Sequence, residues 1–279
     1  NVRKVAVLGA GVMGAQIAAH LVNVKVPVVL FDLPAKEGPK NGIVTRAVEN
    51  LKKMKPAPLG VAEDAALIQQ ANYEEHLELL RGCDVIIEAI AERMDWKEDL
   101  YKKIAPFVND NAILATNTSG LSITKMSQVL PEQLRPRFLG IHFFNPPRYM
   151  YLVELITTPT TRPDIVDQLE TFVTSAVGKG VLRAKDTPNF IANRTGIAGG
   201  LFTMIEVEKS GLTYDVVDDL TGKRMGRASS ATFRTLDIVG IDILSKGSQT
   251  LRDNLPNDPF LANFVEPPVV TRMLEKGLL

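Results

Sequence analysis

The stretch Lys4–Val22, KVAVLGAGVMGAQIAAHLV, decides the fold. Val5–Leu8 is a short apolar run of the kind buried on both faces of a sheet. Glycines follow at 9, 11 and 14, and a helical pattern then runs to Val22. A strand, a glycine turn and a helix in immediate succession form the opening of a βαβ unit. The next apolar stretch, Val26–Pro34 (VPVVLFDLP), ends in Asp32, eighteen positions after Gly14. That acidic residue completes a dinucleotide-binding pattern. Gly9 makes the tight turn, Gly11 lets the backbone approach a pyrophosphate, and Gly14 permits close helix–strand packing. The helix N-terminus favours the phosphate charge. Gly9, Gly11, Val12, Met13 and Gly14 are therefore candidate cofactor-binding residues. Asp32 is expected to accept bonds from the adenine ribose and to repel a 2′-phosphate, which selects NAD over NADP.

The rest of the chain extends that frame. CDVIIEAI (83–90), AILATNTS (112–119) and RFLGIHFF (137–144) read as further strands, with helical segments at DWKEDLYKKIAPFV and ITKMSQVL between them. Such alternation predicts a Rossmann-like, doubly wound, mostly parallel α/β sheet. Residues 36–80 read as a polar, helical excursion broken near KPAPLG. Beyond GKGVLRAKDTPNF the pattern turns helical, with turn signals near Gly211, Gly222 and Gly226. The expected division is an NAD-binding domain over 1–185 and a smaller all-helical domain over 186–279.

The 279 residues carry 32 basic and 32 acidic side chains with no basic block, which argues against nucleic-acid or anionic-membrane partners. The single Cys83 excludes an internal disulfide framework and suits a reducing compartment. No apolar run approaches the roughly 18 residues needed to span a bilayer. Three dispersed histidines and one cysteine give no metal-ligand cluster.

His142 and Glu154 are ionisable groups inside apolar runs, where unpaired charge is costly. Each lies six positions from Arg148. If Pro146–Pro147 turns the chain back, antiparallel pairing sets the two side chains opposite one another. Oxidising an alcohol with NAD requires removal of the hydroxyl proton, and imidazole suits that task near neutral pH. A carboxylate on the other ring nitrogen would fix the tautomer. The alternative is a core histidine bonded to backbone and an unrelated glutamate. His20 and His76 read as ordinary packing and solvation.

The motifs VAVLGAGVMGAQIA, VIIEAIAE, ATNTSGLSIT, GIHFFNPP, LVELI and AKDTPNFIANR, in this order, resemble the L-3-hydroxyacyl-CoA dehydrogenases of fatty-acid β-oxidation across essentially the whole chain. The resemblance implies oxidation of L-3-hydroxyacyl-CoA to 3-ketoacyl-CoA, with His142 and Glu154 as the catalytic pair. It implies that Ser119 bonds the substrate's 3-oxygen, also on the cofactor side, and that Asn193 lies near the same oxygen. Asn117 matches a position beside the nicotinamide ribose, Asn145 one near the His–Glu pair, and Glu92 and Lys97 cofactor-side positions. A helix cap for Ser119 and a helix-start contact for Asn193 are the structural alternatives. Lys52, Lys53 and Lys55 are candidates for the phosphates of an acyl-CoA substrate, with a solvated basic face as the other reading.

The resemblance further implies a homodimer through the helical domain. The expected compartment is a reducing one, bacterial cytoplasm in preference to mitochondrial matrix. MGRASSATFRTLD departs from the family's Gly-Pro-Phe after its Met-Gly. The start at Asn1 and the stop at EKGLL lead to the expectation of a fragment of a longer, multifunctional polypeptide. Two other readings stay open: a dehydrogenase of another hydroxy acid on the same fold, and a catalytically silent dinucleotide-binding protein.

Overall fold

Short apolar runs flanked by turn residues become strands because both their faces find cover. In the computed structural model, which describes residues 2–278, these are β1 (Val5–Leu8), β2 (Val28–Asp32), β4 (Val85–Glu88), β5 (Ile113–Thr116), β6 (Phe138–Phe143) and β7 (Leu152–Ile156). Every residue of β1, β4, β5 and β6 is buried, so these strands lack the alternation of a half-exposed sheet. Two further strands, β3 (Ile68–Asn72) and β8 (Gly180–Ala184), complete one sheet in the order β3-β2-β1-β4-β5-β6-β7-β8. All neighbours are parallel except β6 and β7.

β3 corrects the reading of residues 36–80 as a helical excursion. Only α2 (Gly42–Leu51) is α-helical there, followed by 3₁₀ turns at Ala62–Leu67 and Leu77–Gly82 around the strand. The strand IQQAN occupies the sheet edge, where Gln69 is exposed and Gln70 half-buried. An edge strand needs no continuous apolar run, and this one shows none.

The strand order reverses between β1 and β4, and that reversal places a crevice at the carboxyl ends of the strands. Helix α1 (Val12–Asn23) starts at this edge, as does α3 (Met94–Ile104) after β4. The short α4 (Ile123–Gln128) follows β5, and α5 (Pro163–Ser175) joins β7 to β8. Ile17 and Leu21 of α1, Val44 and Val48 of α2, and Leu169 and Val173 of α5 join the strands in one apolar cluster.

Two compact units result, one ending at Asp186 and one beginning at Thr187. Asp186 itself closes the first: its carboxylate accepts from Ser122 Oγ at 2.8 Å and from the amides of Ile123 and Thr124 at the start of α4. Among its described residues the second unit is helical, with α6 (Ala192–Ser210), α7 (Tyr214–Thr221), α8 (Phe233–Val239), α9 (Ile241–Asn254) and α10 (Pro268–Glu275). Met204, Ile241, Leu244 and Val270 form one small core there, and Leu201, Leu251 and Phe264 another. No helix among the described residues is long and apolar enough to cross a membrane.

The turn after β1 leaves no room for side chains. A Cβ at Gly14 would lie 1.8 Å from the carbonyl oxygen of Gly9, and Gly9 itself has φ +107° with Ala89 O 2.8 Å from any Cβ. Gly14→Ala is therefore expected to cost about 3 kcal/mol or more, since only backbone movement relieves the clash. Urea unfolding of the two chains checks this, and equal stability would contradict the packing.

His20 is buried in α1, its Nε2–H donating to Val177 O at 3.0 Å. Burial, helped by the Lys179 and Arg148 charges and opposed by the Val177 bond, lowers its pKa from 6.5 to about 4. The unfolded chain thus takes this proton near pH 6.5 and the folded chain resists it until about pH 4. Stability contributed by neutral His20 is full above pH 6.5 and lost as pH falls through that window, up to about 3 kcal/mol. His20→Gln is expected to flatten that part of the pH dependence in urea titrations between about pH 7 and about pH 4.5. An unchanged slope would rule out His20 as its source.

Candidate active site

The carboxyl edge of the sheet is stitched from strand to strand. Gly9 N donates to Phe31 O, Ala89 N to Leu8 O and Asn117 N to Glu88 O. The Asn117 side-chain oxygen accepts from Phe143 N at 2.9 Å. One continuous line therefore runs from the glycine turn after β1 to the end of β6, about 15 Å away at ordinary strand spacing.

At the first end, Gly11 is open, since a Cβ there would meet nothing within 4 Å. α1 begins with no side-chain cap and no acidic residue in its first turn. Its leading amides are available to an anion, and the helix dipole favours one. Val12 is exposed and Met13 half-buried at this mouth. Asp32 holds the rim, its Oδ2 accepting from Ala10 N and its Oδ1 from Leu33 N, both at 2.6 Å. Room for a phosphate, uncapped amides and a rim carboxylate fit a dinucleotide.

At the other end, β6 and β7 pair antiparallel with His142 opposite Glu154. The turn-back expected from Pro146–Pro147 is present and includes a cis Asn145–Pro146 bond. His142 Nδ1 lies 2.8 Å from Glu154 Oε2, with the two side chains 3% and 0% exposed. A carboxylate so buried requires a hydrogen-bond donor. With the carboxylate ionised, Nδ1 carries the hydrogen and Nε2 is the basic atom of the ring. Phe144 packs against the imidazole, with ring centroids 4.4 Å apart.

The remaining predicted residues divide by position. Ser119 is half-buried in the loop after β5, and Glu92 Oε1 accepts from its amide at 2.7 Å. Glu92 Oε2 accepts from Thr118 Oγ1 at 2.5 Å, so this glutamate fixes the loop that carries Ser119. Ser119 is not a helix cap; Ser122 fills that place, accepting from Lys125 N. Asn145 Oδ1 accepts from Gln16 Nε2 at 3.2 Å, linking the β6–β7 loop to α1. Asn193 stands on the first turn of α6, in the second unit. Lys52, Lys53 and Lys55 are exposed, and Lys52 pairs with Glu49 at 2.8 Å.

Lys97, a cofactor-side position by the resemblance, has its ammonium inside the protein. It is buried beneath the β4–α3 loop, its Nζ 2.6 Å from Glu88 Oε1. Glu88 is also fully buried and accepts from Ile90 N at 2.7 Å, Thr116 Oγ1 at 2.7 Å and Tyr101 OH at 3.0 Å. Four donors satisfy both carboxylate oxygens, and together they set the loop over the glycine turn. Sequence reasoning passed over Glu88, although a lone carboxylate in the apolar run CDVIIEAI carries the same signal as Glu154. Among the described residues no group of three or more His, Cys, Asp or Glu is placed to hold a metal ion.

Comparison with known proteins identifies the family. The family described as "3-hydroxyacyl-CoA dehydrogenase, NAD binding domain" matches residues 4–187. The chain is 43% identical over 259 residues to a probable 3-hydroxyacyl-CoA dehydrogenase of Deinococcus radiodurans, covering 92% of this chain and 75% of that protein. It is 40% identical over 292 residues to a probable 3-hydroxyacyl-CoA dehydrogenase of Bacillus subtilis, covering 99% of this chain but 37% of that one. Among solved structures, the (S)-3-hydroxybutyryl-CoA dehydrogenase PaaH1 of Ralstonia eutropha superposes with a TM-score of 0.81 at 25% identity, over 99% of this chain and 95% of that one. An eight-stranded sheet with an open glycine turn, a buried His–Glu pair two strands beyond its switch point, and these matches lead to one conclusion: the chain belongs to the NAD-dependent 3-hydroxyacyl-CoA dehydrogenase family.

Proposed function

We propose that His142 and Glu154 carry the proton in oxidation of an L-3-hydroxyacyl-CoA to the 3-ketoacyl-CoA, a step of fatty-acid β-oxidation. The buried 2.8 Å contact between Nδ1 and Oε2 carries this reading. NAD, when bound, supplies the hydride acceptor; Gly9, Gly11, Val12, Met13, Gly14 and Asp32 hold it, with Glu92, Lys97 and Asn117 shaping or supporting the same edge.

The hydroxyl proton passes to His142 Nε2 as the carbon–oxygen single bond becomes a carbonyl. Glu154, already bonded to Nδ1–H, stabilises the imidazolium that forms and keeps the ring from flipping. The imidazolium returns the proton in the reverse direction. Among the described residues the Ser119 hydroxyl makes no hydrogen bond, which leaves it available to the substrate's 3-oxygen. Asn193 enters as a second donor from the resemblance alone. Lys52, Lys53 and Lys55, being exposed, suit the phosphates of the CoA moiety.

The same reading places the protein in bacterial cytoplasm as a homodimer through its helical unit. Ile238, Val239 and Ile243 of that unit are 69%, 47% and 55% exposed, an apolar surface that a second copy would cover.

His142→Gln is expected to lower NADH formation from 3-hydroxybutyryl-CoA by about 10²–10⁴-fold while NAD still binds. Turnover retained by that variant would refute the assigned base. Asp32→Ser is expected to narrow the preference for NAD over NADP by removing the charge that repels a 2′-phosphate. An unchanged ratio of kcat/KM for the two cofactors would place the discrimination elsewhere.

A further inference from the structure

The turn between α5 and β8 buries a lysine whose ammonium is bonded to backbone carbonyls. Lys179 is 4% exposed and, among the described residues, forms no ion pair. Burial lowers its pKa from the ordinary lysine value. Its Nζ instead donates to two backbone carbonyls of one loop, Pro147 O at 2.5 Å and Met150 O at 2.8 Å. An apolar side chain would avoid the desolvation that a buried ammonium incurs. The cation therefore needs a use that offsets this cost.

That use lies in what the loop joins. Residues 144–151 connect the end of β6, which carries His142, to the start of β7, which carries Glu154. The loop begins at the cis Asn145–Pro146 bond and forms a single turn in which Tyr149 N and Met150 N both donate to Pro146 O. The ammonium caps carbonyls of this turn as a cation caps a helix C-terminus. Other donors hold the same loop as well. Arg148 Nη1 bonds Ala57 O and Leu59 O, and Gln16 Nε2 bonds Asn145 Oδ1. Lys179 is the buried cation among them, and the backbone beside it continues into the sheet, since Gly180 N donates to Tyr151 O at 3.0 Å. A Cβ at Gly180 would lie 2.4 Å from the Tyr151 ring, so the turn packs against that ring with no room for a side chain at 180.

We propose that Lys179 is a positioning residue for the His142–Glu154 pair, its ammonium drawing in the carbonyls of the connecting loop and so fixing the register of the two strands. This rests on the assignment of that pair as the proton carrier. Lys179 touches neither member; it acts by holding the loop that spaces them. A displacement of about 1 Å in such a pair is enough to cost about 10²-fold in rate.

The test is a double-mutant cycle with Lys179→Met and Glu154→Gln, assayed with NAD and 3-hydroxybutyryl-CoA. Lys179→Met is expected to lower kcat about tenfold or more and leave KM for NAD within about twofold. In the Glu154→Gln background the same substitution is expected to have little further effect, because both act on one pair. Unchanged kcat in folded Lys179→Met overturns the proposal, and so do losses that multiply across the cycle, which would mark a general structural role. Should the methionine chain fail to fold, Lys179→Gln, which keeps a donor without the charge, is taken through the same cycle. Failure of both to fold also overturns it, since Lys179 would then serve the fold as a whole. Full kcat in Glu154→Gln alone would instead refute the reading of the pair and leave a distinct signature.

Discussion

A carboxylate placed on an interior strand of a sheet, with no exposed surface, constrains everything around it. Glu154 occupies such a place, and the donor opposite is His142, 2.8 Å away across the one antiparallel step of an otherwise parallel sheet. In a parallel pair the bonds are slanted and the strands return by a long crossover. The antiparallel step lets a short loop set two side chains face to face. The reversal of strand direction after β6 is thus what makes the His142–Glu154 contact possible. The parallel part of the sheet supplies its neighbourhood, because every strand from β1 to β6 ends at the same edge.

The pattern repeats with other buried charges. Glu88 closes β4 and gathers Lys97, Tyr101, Thr116 and the Ile90 amide, tying the β4–α3 loop to the sheet. Lys179 gathers two loop carbonyls beside β7. Buried charge of this kind is a poor source of net stability, as its desolvation roughly offsets its attractions. Its effect is to admit one arrangement of the backbone and penalise others. Such selectivity suits a site whose reacting groups must meet within a fraction of an ångström.

The division between what was legible in the sequence and what was not follows from burial. Interior strands announce themselves because both faces are covered, so VAVL, VIIE and FLGIHF stand out as apolar runs. The glycine turn is legible because its positions are steric necessities: Gly14 faces a carbonyl oxygen 1.8 Å from any added Cβ. The pairing of His142 with Glu154 was legible from equal spacing about a proline-rich turn. The edge strands were not. IQQAN carries two glutamines, and GVLRA leaves Leu182 and Arg183 exposed, so neither shows a period that distinguishes strand from loop. Lys97 and Lys179 were hidden for a different reason. A lysine reads as solvent-facing unless the fold brings acceptors around it, and those acceptors, Glu88 at nine positions' distance and the carbonyls of a remote loop, appear only in three dimensions.

The claim at the centre is that a buried carboxylate holds the imidazole in one tautomer, with its basic nitrogen turned to the reaction. Nitrogen-15 NMR of the histidine ring at neutral pH reads this directly. The account predicts that the His142 proton resides on Nδ1, in a hydrogen bond to Glu154, and that Nε2 is unprotonated. A proton resting on Nε2, with Nδ1 bare beside the carboxylate, would contradict it.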